Sequence, residues 1–297
     1  MKTIVFDIGG TSVKCGTCIN DTLCDLSNFP TDAHLGGPHI MNQVISFIEE
    51  CSDFDAIGIS TAGQVNAKDG SIIYANSNIP NYTGMQIKKE LEALFHVPVT
   101  VENDVNCAAL GESVYGSGKS YDDFLCLTYG TGVGGAIVQN KKIYHGSGFS
   151  AGEFGGIVTH GSINLYSQNQ DVFGGCYERY ASTSALVRTL SAYDPSLVSG
   201  KLIFENLNRK DVKVFIDQWI DEIILGLITI IHIFNPSCIV LGGGIMAQAY
   251  ILEEIHKRIY EKIMPSFSQV EIVSAALGNS AGMLGANFLA SEFLQSR

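Results

Sequence analysis

The sequence predicts an α/β protein with room for two domains. Its 297 residues, 46% of them hydrophobic, suffice for two separate cores. Apolar runs of strand character alternate with stretches of helical periodicity along the chain. Twice, such a run (Thr3 to Phe6, then Phe124 to Leu127) leads into a turn of glycine and threonine and out into a second apolar strand.

The two turns are Asp7-Ile8-Gly9-Gly10-Thr11-Ser12 and Thr128-Tyr129-Gly130-Thr131-Gly132-Val133-Gly134-Gly135. Either one alone is also what an ordinary glycine-rich hairpin looks like. As a pair they point to phosphate. Glycine lets backbone N–H groups approach an anion closely and threonine hydroxyls add donors, so two facing hairpins can hold the phosphates of a nucleotide. A third close-approach turn, Gly242-Gly243-Gly244, follows the buried-type strand Cys238 to Leu241 and suits the flat face of a base or ribose.

A formal charge of −12 and a pI near 4.9 exclude broad binding to nucleic acid or to an anionic membrane, because a phosphate backbone needs a basic surface opposite it. Met1-Lys2 runs straight into a strand with no signal-peptide pattern, and the longest apolar stretch, Ile223 to Phe234, is roughly half of a membrane helix. A cytoplasmic protein is expected. The eight cysteines are scattered, as reduced core residues are. Cys15 and Cys18 have an odd spacing that puts them on opposite faces of a strand, so they cannot share a metal.

Residues 13–19 pair back on the first strand, and Asp7 lies at that strand's end. There it either reaches Mg²⁺ through water or caps the turn, while Lys14 reads as solvated. A helix over 38–52 precedes the strand Ala56 to Ser60 and the loop Thr61 to Val65, whose small residues leave room for a ligand. Ala75 to Tyr82 is polar and amide-rich, which suits either a surface loop or a contact with hydroxylated ligands. A helix over 85–95 and a strand over 97–101 lead to Glu102-Asn103-Asp104 and an alanine-rich helix. Placed between strand and helix, Asp104 is either the helix cap or a base that takes a proton from a substrate hydroxyl. Residues 144–156 form a long glycine-rich loop in which Glu153 faces a ligand or solvent. Residues 161–172 read as polar and irregular, and 177–190 as a helix with Glu178 in its first turn. A long helix over 210–234 ends before Asn235-Pro236, and a strand at 271–273 and a small-residue helix close the chain.

In this order the motifs resemble the ROK family of bacterial sugar kinases, within the actin-like ATPase superfamily. The resemblance rests on Asp7-Ile8-Gly9-Gly10-Thr11, Glu102-Asn103-Asp104-Val105-Asn106, Gly130-Thr131-Gly132-Val133-Gly134-Gly135, Ala151-Gly152-Glu153-Phe154-Gly155 and Leu241-Gly242-Gly243-Gly244, and it spans nearly the whole chain. It implies a two-domain actin-like ATPase (ribonuclease H-like) fold with a central cleft. Residues 1–112 would form the N-terminal domain, completed by a closing helix over 281–297, and 113–280 the C-terminal one. It implies ATP held by Gly9, Gly10, Thr11 and Ser12 on one side and by Gly130, Thr131, Gly132 and Gly134 on the other. The adenosine would lie along Gly242, Gly243 and Gly244, with Mg²⁺ reached through ATP and Asp7. The resemblance makes Asp104 the general base and assigns sugar hydroxyls to Asn103, Glu153 and Glu178, with Asn78 and the Gly63 loop as further candidates. It also implies a homodimer whose partner is a small-molecule sugar.

Two departures bear on substrate. The family's commonest form has His three residues after the sugar-binding Glu, where this chain has Gly156, and that His also ligates a structural zinc. Of the three cysteines that complete the zinc site only Cys176 remains, and the spacing of His145 and His160 does not restore the pattern, so no zinc is expected. Replacing an imidazole with glycine removes bulk and a hydrogen bond near the anomeric side of the sugar. The zinc-lacking pattern looks like the family's β-glucoside kinases, and the expected reaction is ATP-dependent phosphorylation of the 6-hydroxyl of a β-glucoside or of a disaccharide such as cellobiose. The alternatives are a monosaccharide kinase for glucose or N-acetylmannosamine and a non-catalytic sugar sensor. Retention of Asp104 and both hairpins speaks against the sensor. Repressors of the family carry a DNA-binding domain ahead of the sugar-binding part, and a strand that starts at Thr3 leaves no room for one.

Overall fold

A computed structural model describes residues 1–161 and 173–296, so that nearly all of the irregular stretch read over 161–172 lies outside the described residues. Its first elements are β1 (Lys2–Ile8), β2 (Ser12–Ile19), β3 (Thr22–Pro30), α1 (Gly37–Glu49), β4 (Ala56–Thr61), β5 (Gln64–Asn66), β6 (Ser71–Tyr74), α2 (Ile87–Phe95), β7 (Val99–Asn103) and α3 (Asp104–Tyr115). There follow β8 (Phe124–Tyr129), β9 (Val133–Gln139), β10 (Lys142–Ile143), α4 (Glu178–Ala181), α5 (Thr183–Tyr193), α6 (Gly200–Glu205) and α7 (Lys210–Phe234). The last are β11 (Cys238–Gly242), α8 (Ala249–Ile259), β12 (Glu271–Ser274) and α9 (Ala281–Gln295). The chain divides into two compact units, one of residues 1–119, 141–151 and 279–297, the other of 120–140 and 152–278.

The first unit is built on a sheet of order β3-β2-β1-β4-β7, in which β1 to β3 are antiparallel and β1, β4 and β7 run parallel. Strand β1 is apolar almost throughout because both of its faces are covered. Ile4, Phe6 and Ile8 pack with Ile40, Met41, Val44 and Ile48 of α1, while Val5 packs with Cys18 and with Met283 of α9. Cys15 belongs to the first cluster and Cys18 to the second, the opposite-face arrangement that their spacing requires. Helix α9 lies tight against α3: a Cβ on Gly285 would fall on the Cys107 carbonyl.

The second unit repeats the device. Its antiparallel hairpin of β8 and β9 continues through β11 and β12, which lie parallel to β8. Helix α7 buries Ile223, Ile224, Leu227, Ile230 and Ile231, and leaves Leu225, Ile233 and Phe234 exposed. The fold is therefore α/β, as expected.

Local differences from the sequence reading have physical causes. The single helix expected over 177–190 is two, because Ser182 is extended (φ −68°, ψ 158°) and its hydroxyl accepts from the Ala185 N–H, which starts a new helix. Val65 lies in strand β5 rather than in a loop. Strand β7 runs on through Glu102 and Asn103, held in register by Ser60 and Thr61 of β4. Among the described residues no helix is long and apolar enough to cross a membrane.

Candidate active site

In parallel α/β sheets, chemistry collects beyond the carboxyl ends of the strands. In the first unit these ends are in register: Asp7 of β1 faces Ser60 of β4, which faces Glu102 of β7, and the next row is Ile8, Thr61 and Asn103. Asp7 lies one residue before the end of β1 and is not the turn's cap, since the turn closes with Gly9 N–H donating to the Ser12 carbonyl at 3.1 Å. Its Oδ1 accepts from the Ser60 hydroxyl at 2.8 Å, and its Oδ2 lies 3.1 Å from Lys14 Nζ. Lys14 is thus an ion-pair partner, not the freely solvated cation expected. Thr31 braces the turn, its N–H donating to the Thr11 carbonyl and its hydroxyl to that of Gly9. Gly10 and Thr11 are left exposed.

Two carboxyls stand at the β7–α3 junction. The capping role open to Asp104 falls instead to Asn103, whose Oδ1 accepts from the N–H groups of Val105 (2.9 Å) and Asn106 (3.1 Å). Asn103 Nδ2 donates to the Gly63 carbonyl and to Asp104 Oδ1, each at 2.9 Å. Its amide, expected to bind sugar, is therefore engaged on every side in orienting Asp104 and the Gly63 loop. Asp104 is half-buried, and the protein packed around it, with the charge of Asp7 as a second cause, raises its pKa to about 7. The Val105 N–H and the Asn103 amide oppose that shift without cancelling it.

Three further groups complete the junction and were not singled out from sequence. Tyr82, read as part of a polar loop, is fully buried, with its hydroxyl 2.5 Å from that of Thr61. Glu102 is 2% exposed and accepts from Asn103 N–H at 2.8 Å and from Asn106 Nδ2 at 2.9 Å through Oε1. Its Oε2 lies 2.6 Å from His145 Nε2. Asn78, by contrast, is exposed on a turn whose N–H bonds to Asn76 Oδ1.

In the second unit, Gly130 and Thr131 are exposed at the tip of the β8–β9 hairpin, where Gly130 N–H donates to the Gly132 carbonyl at 3.0 Å. Glu178, opening α4, turns its carboxylate against this hairpin: a Cβ on Gly132 would lie 2.6 Å from its Oε2, and one on Gly155 3.3 Å. Gly134 sits in β9. Glu153 is exposed just before the turn Phe154–Gly156, and a Cβ on Gly156 would meet only open space. Gly242 ends β11, and Gly243 adopts φ +99° with its backbone pressed on that of Tyr129, a conformation and an approach that suit glycine alone. Gly243 and Gly244 are exposed beyond the strand.

The donor set at Asp7 fits a water-mediated Mg²⁺: a carboxylate still partly open to solvent has a second one, Asp104, within reach of its charge. Among the described residues no group of three or more His, Cys, Asp or Glu is placed to hold a metal ion by itself.

The ROK family model matches residues 3–292. An uncharacterized protein of Clostridium perfringens is 39% identical over 295 residues, 96% of each chain. A β-glucoside kinase of Listeria monocytogenes is 33% identical over 305 residues, covering 99% of this chain and 98% of its own. Among solved structures, a ROK family glucokinase from Streptomyces griseus in complex with glucose and AMPPNP superposes with a TM-score of 0.82 at 29% identity, over 98% of this chain and 100% of that one. The chain belongs to the ROK family.

Proposed function

We propose that the protein is a sugar kinase that transfers the γ-phosphoryl group of ATP to the 6-hydroxyl of a β-glucoside or disaccharide such as cellobiose. The observation that carries this reading is Asp104: relieved of capping by Asn103, held by two hydrogen bonds, and poised near neutrality. A base is most effective when its pKa lies close to the working pH. Asp104 takes the proton of the attacking hydroxyl. That oxygen bonds to the γ-phosphorus as the bond from phosphorus to the β,γ-bridging oxygen breaks, and ADP leaves.

Each unit offers part of the recognition. In the first, the turn from Gly9 to Ser12, exposed at Gly10 and Thr11, suits phosphate, Asp7 would hold Mg²⁺ through water, and Mg²⁺ would supply charge neutralisation on the donor. In the second, the Gly130 to Gly134 stretch, exposed at Gly130 and Thr131, suits phosphate and Gly242 to Gly244 suits the adenosine. Glu153 and Glu178 are then sugar ligands. A nucleotide donor is supported by the AMPPNP complex of the related glucokinase. The β-glucoside preference is supported by the Listeria relative and by the open space that a Cβ on Gly156 would meet, room that suits a substituent on the anomeric oxygen.

The glucose held by the Streptomyces griseus enzyme favours a second reading, a glucokinase. Comparing kcat/KM for cellobiose, glucose and N-acetylmannosamine with ATP separates the two. A clear preference for a free monosaccharide overturns the glycoside assignment, and no ADP release with any sugar overturns the kinase.

A further inference from the structure

Three carboxylates crowd the carboxyl ends of β1 and β7, and two of them have a basic partner. Asp7 has Lys14 at 3.1 Å and Glu102 has His145 at 2.6 Å, whereas Asp104 has no basic partner among the described residues. The carboxylate left without one is the proposed base. Glu102 itself is buried too deeply to meet substrate, yet both of its carboxylate oxygens are bonded within the junction. Three donors converge on it: Asn103 N–H, Asn106 Nδ2 and His145 Nε2. The first two belong to the cap and first turn of α3, the turn that aims Asp104. The third arrives from a loop some forty residues away in sequence.

That loop has little else to fix it. Residues 144–151 carry four glycine or serine positions between His145 and Phe149 or just after, and close on themselves through Ala151 N–H donating to the His145 carbonyl at 3.2 Å. Phe149 takes a positive φ of 60°, packs its ring 5.9 Å from that of His145, and receives Lys68 Nζ at 5.6 Å from its centroid.

We infer that His145 is a positioning residue for the phosphoryl transfer, acting through Glu102 on the cap that orients Asp104. This rests on the kinase reading above. A buried carboxylate deprived of a donor is costly to keep charged, so it must draw in water, take up a proton or turn away. Each of these alters its grip on Asn103 N–H and Asn106 Nδ2, and hence the direction of Asp104. Displacement of a catalytic group by about 1 Å costs on the order of 10²-fold in rate. What the pair needs is a donor at the position of Nε2, not an imidazole as such.

The test compares His145→Gln, His145→Asn and His145→Ala by steady-state kinetics well below their melting temperatures. Glutamine places an amide N–H near the lost donor, and asparagine is one methylene too short. Expected are a kcat within about threefold of wild type for Gln and a fall of roughly 10- to 100-fold for Asn and Ala, with KM for sugar and for ATP within about threefold in all. Hydrogen exchange at Val105 and Asn106 should quicken in Asn and Ala only, a readout independent of turnover. Wild-type kcat in the Asn variant, or Gln as impaired as Asn, overturns the inference. A wild-type enzyme that turns over no sugar overturns the kinase reading instead. Should His145→Ala fail to fold, the contrast between Gln and Asn decides alone.

Discussion

Asp104 is a carboxyl whose surroundings oppose its charge, and that opposition is what makes it useful as a base. Burial acts first and the neighbouring Asp7 second, together raising its pKa to about 7. The ionised form is the one that can accept a proton. The free enzyme's kcat/KM should therefore fall as pH drops through about 7 and level off above it, and an acid limb near pH 4 would contradict the assignment. Asp104→Asn keeps an acceptor for the Val105 N–H and the Asn103 amide but cannot take the proton. It should lower kcat by about 10²- to 10⁴-fold while a thermal shift with sugar persists. Full activity in this variant would remove Asp104 from the mechanism.

At the scale of elements, the two glycine hairpins and their strands were legible in the sequence, because an apolar run that stops at a glycine–threonine turn has few other folds open to it. The N-terminus of α3 was also legible, but which residue caps it was not: Asn103 and Asp104 are both good caps, and only the continuation of β7 through Asn103 decides between them. Glu102 and His145 are 43 positions apart, so their pairing depends on tertiary folding that no local pattern encodes. Strand β3 escaped notice as a sheet edge whose residues are mostly exposed and mixed in polarity. The break at Ser182 was missed because a serine inside an apparent helix reads as tolerated until its hydroxyl is seen bonding the Ala185 N–H. Ser182→Ala should cost about 1 kcal/mol, measured by denaturant unfolding. The hairpin contact of Glu178 gives a sharper test. In Gly132→Ala the added methyl would displace the Glu178 carboxylate, and if that group holds a sugar hydroxyl, KM for sugar should rise by roughly tenfold or more. Unchanged KM would free Glu178 from that role.

For the whole molecule, a base held near neutrality is a cost in stability that every folded copy bears. The folded pKa of Asp104 lies above its unfolded value, so between about pH 4 and pH 7 the native state holds a proton that the unfolded chain has released. This group's contribution therefore favours folding most at low pH, and declines as pH rises until the carboxyl has ionised in both states. Many other acidic groups titrate over the same range in a chain of net charge −12, so the pH dependence of the wild type alone would not isolate it. The difference between Asp104→Asn and wild type does, because the remaining groups are common to both. Asparagine never takes the charge. The variant should gain little at pH 4, and at pH 8 should be the more stable by about 1 to 4 kcal/mol, the lower end applying because the carboxyl remains partly open to water. Denaturant unfolding at the two pH values measures this directly, and a difference that does not change with pH would mean that Asp104 bears no raised pKa. The same pair of measurements on Asp7→Asn should show a smaller pH-dependent penalty at Asp104, since the second cause of the shift has gone. A variant that loses turnover while gaining stability, and gains it only where the base is ionised, ties the function proposed for this site to the charge that the fold holds there.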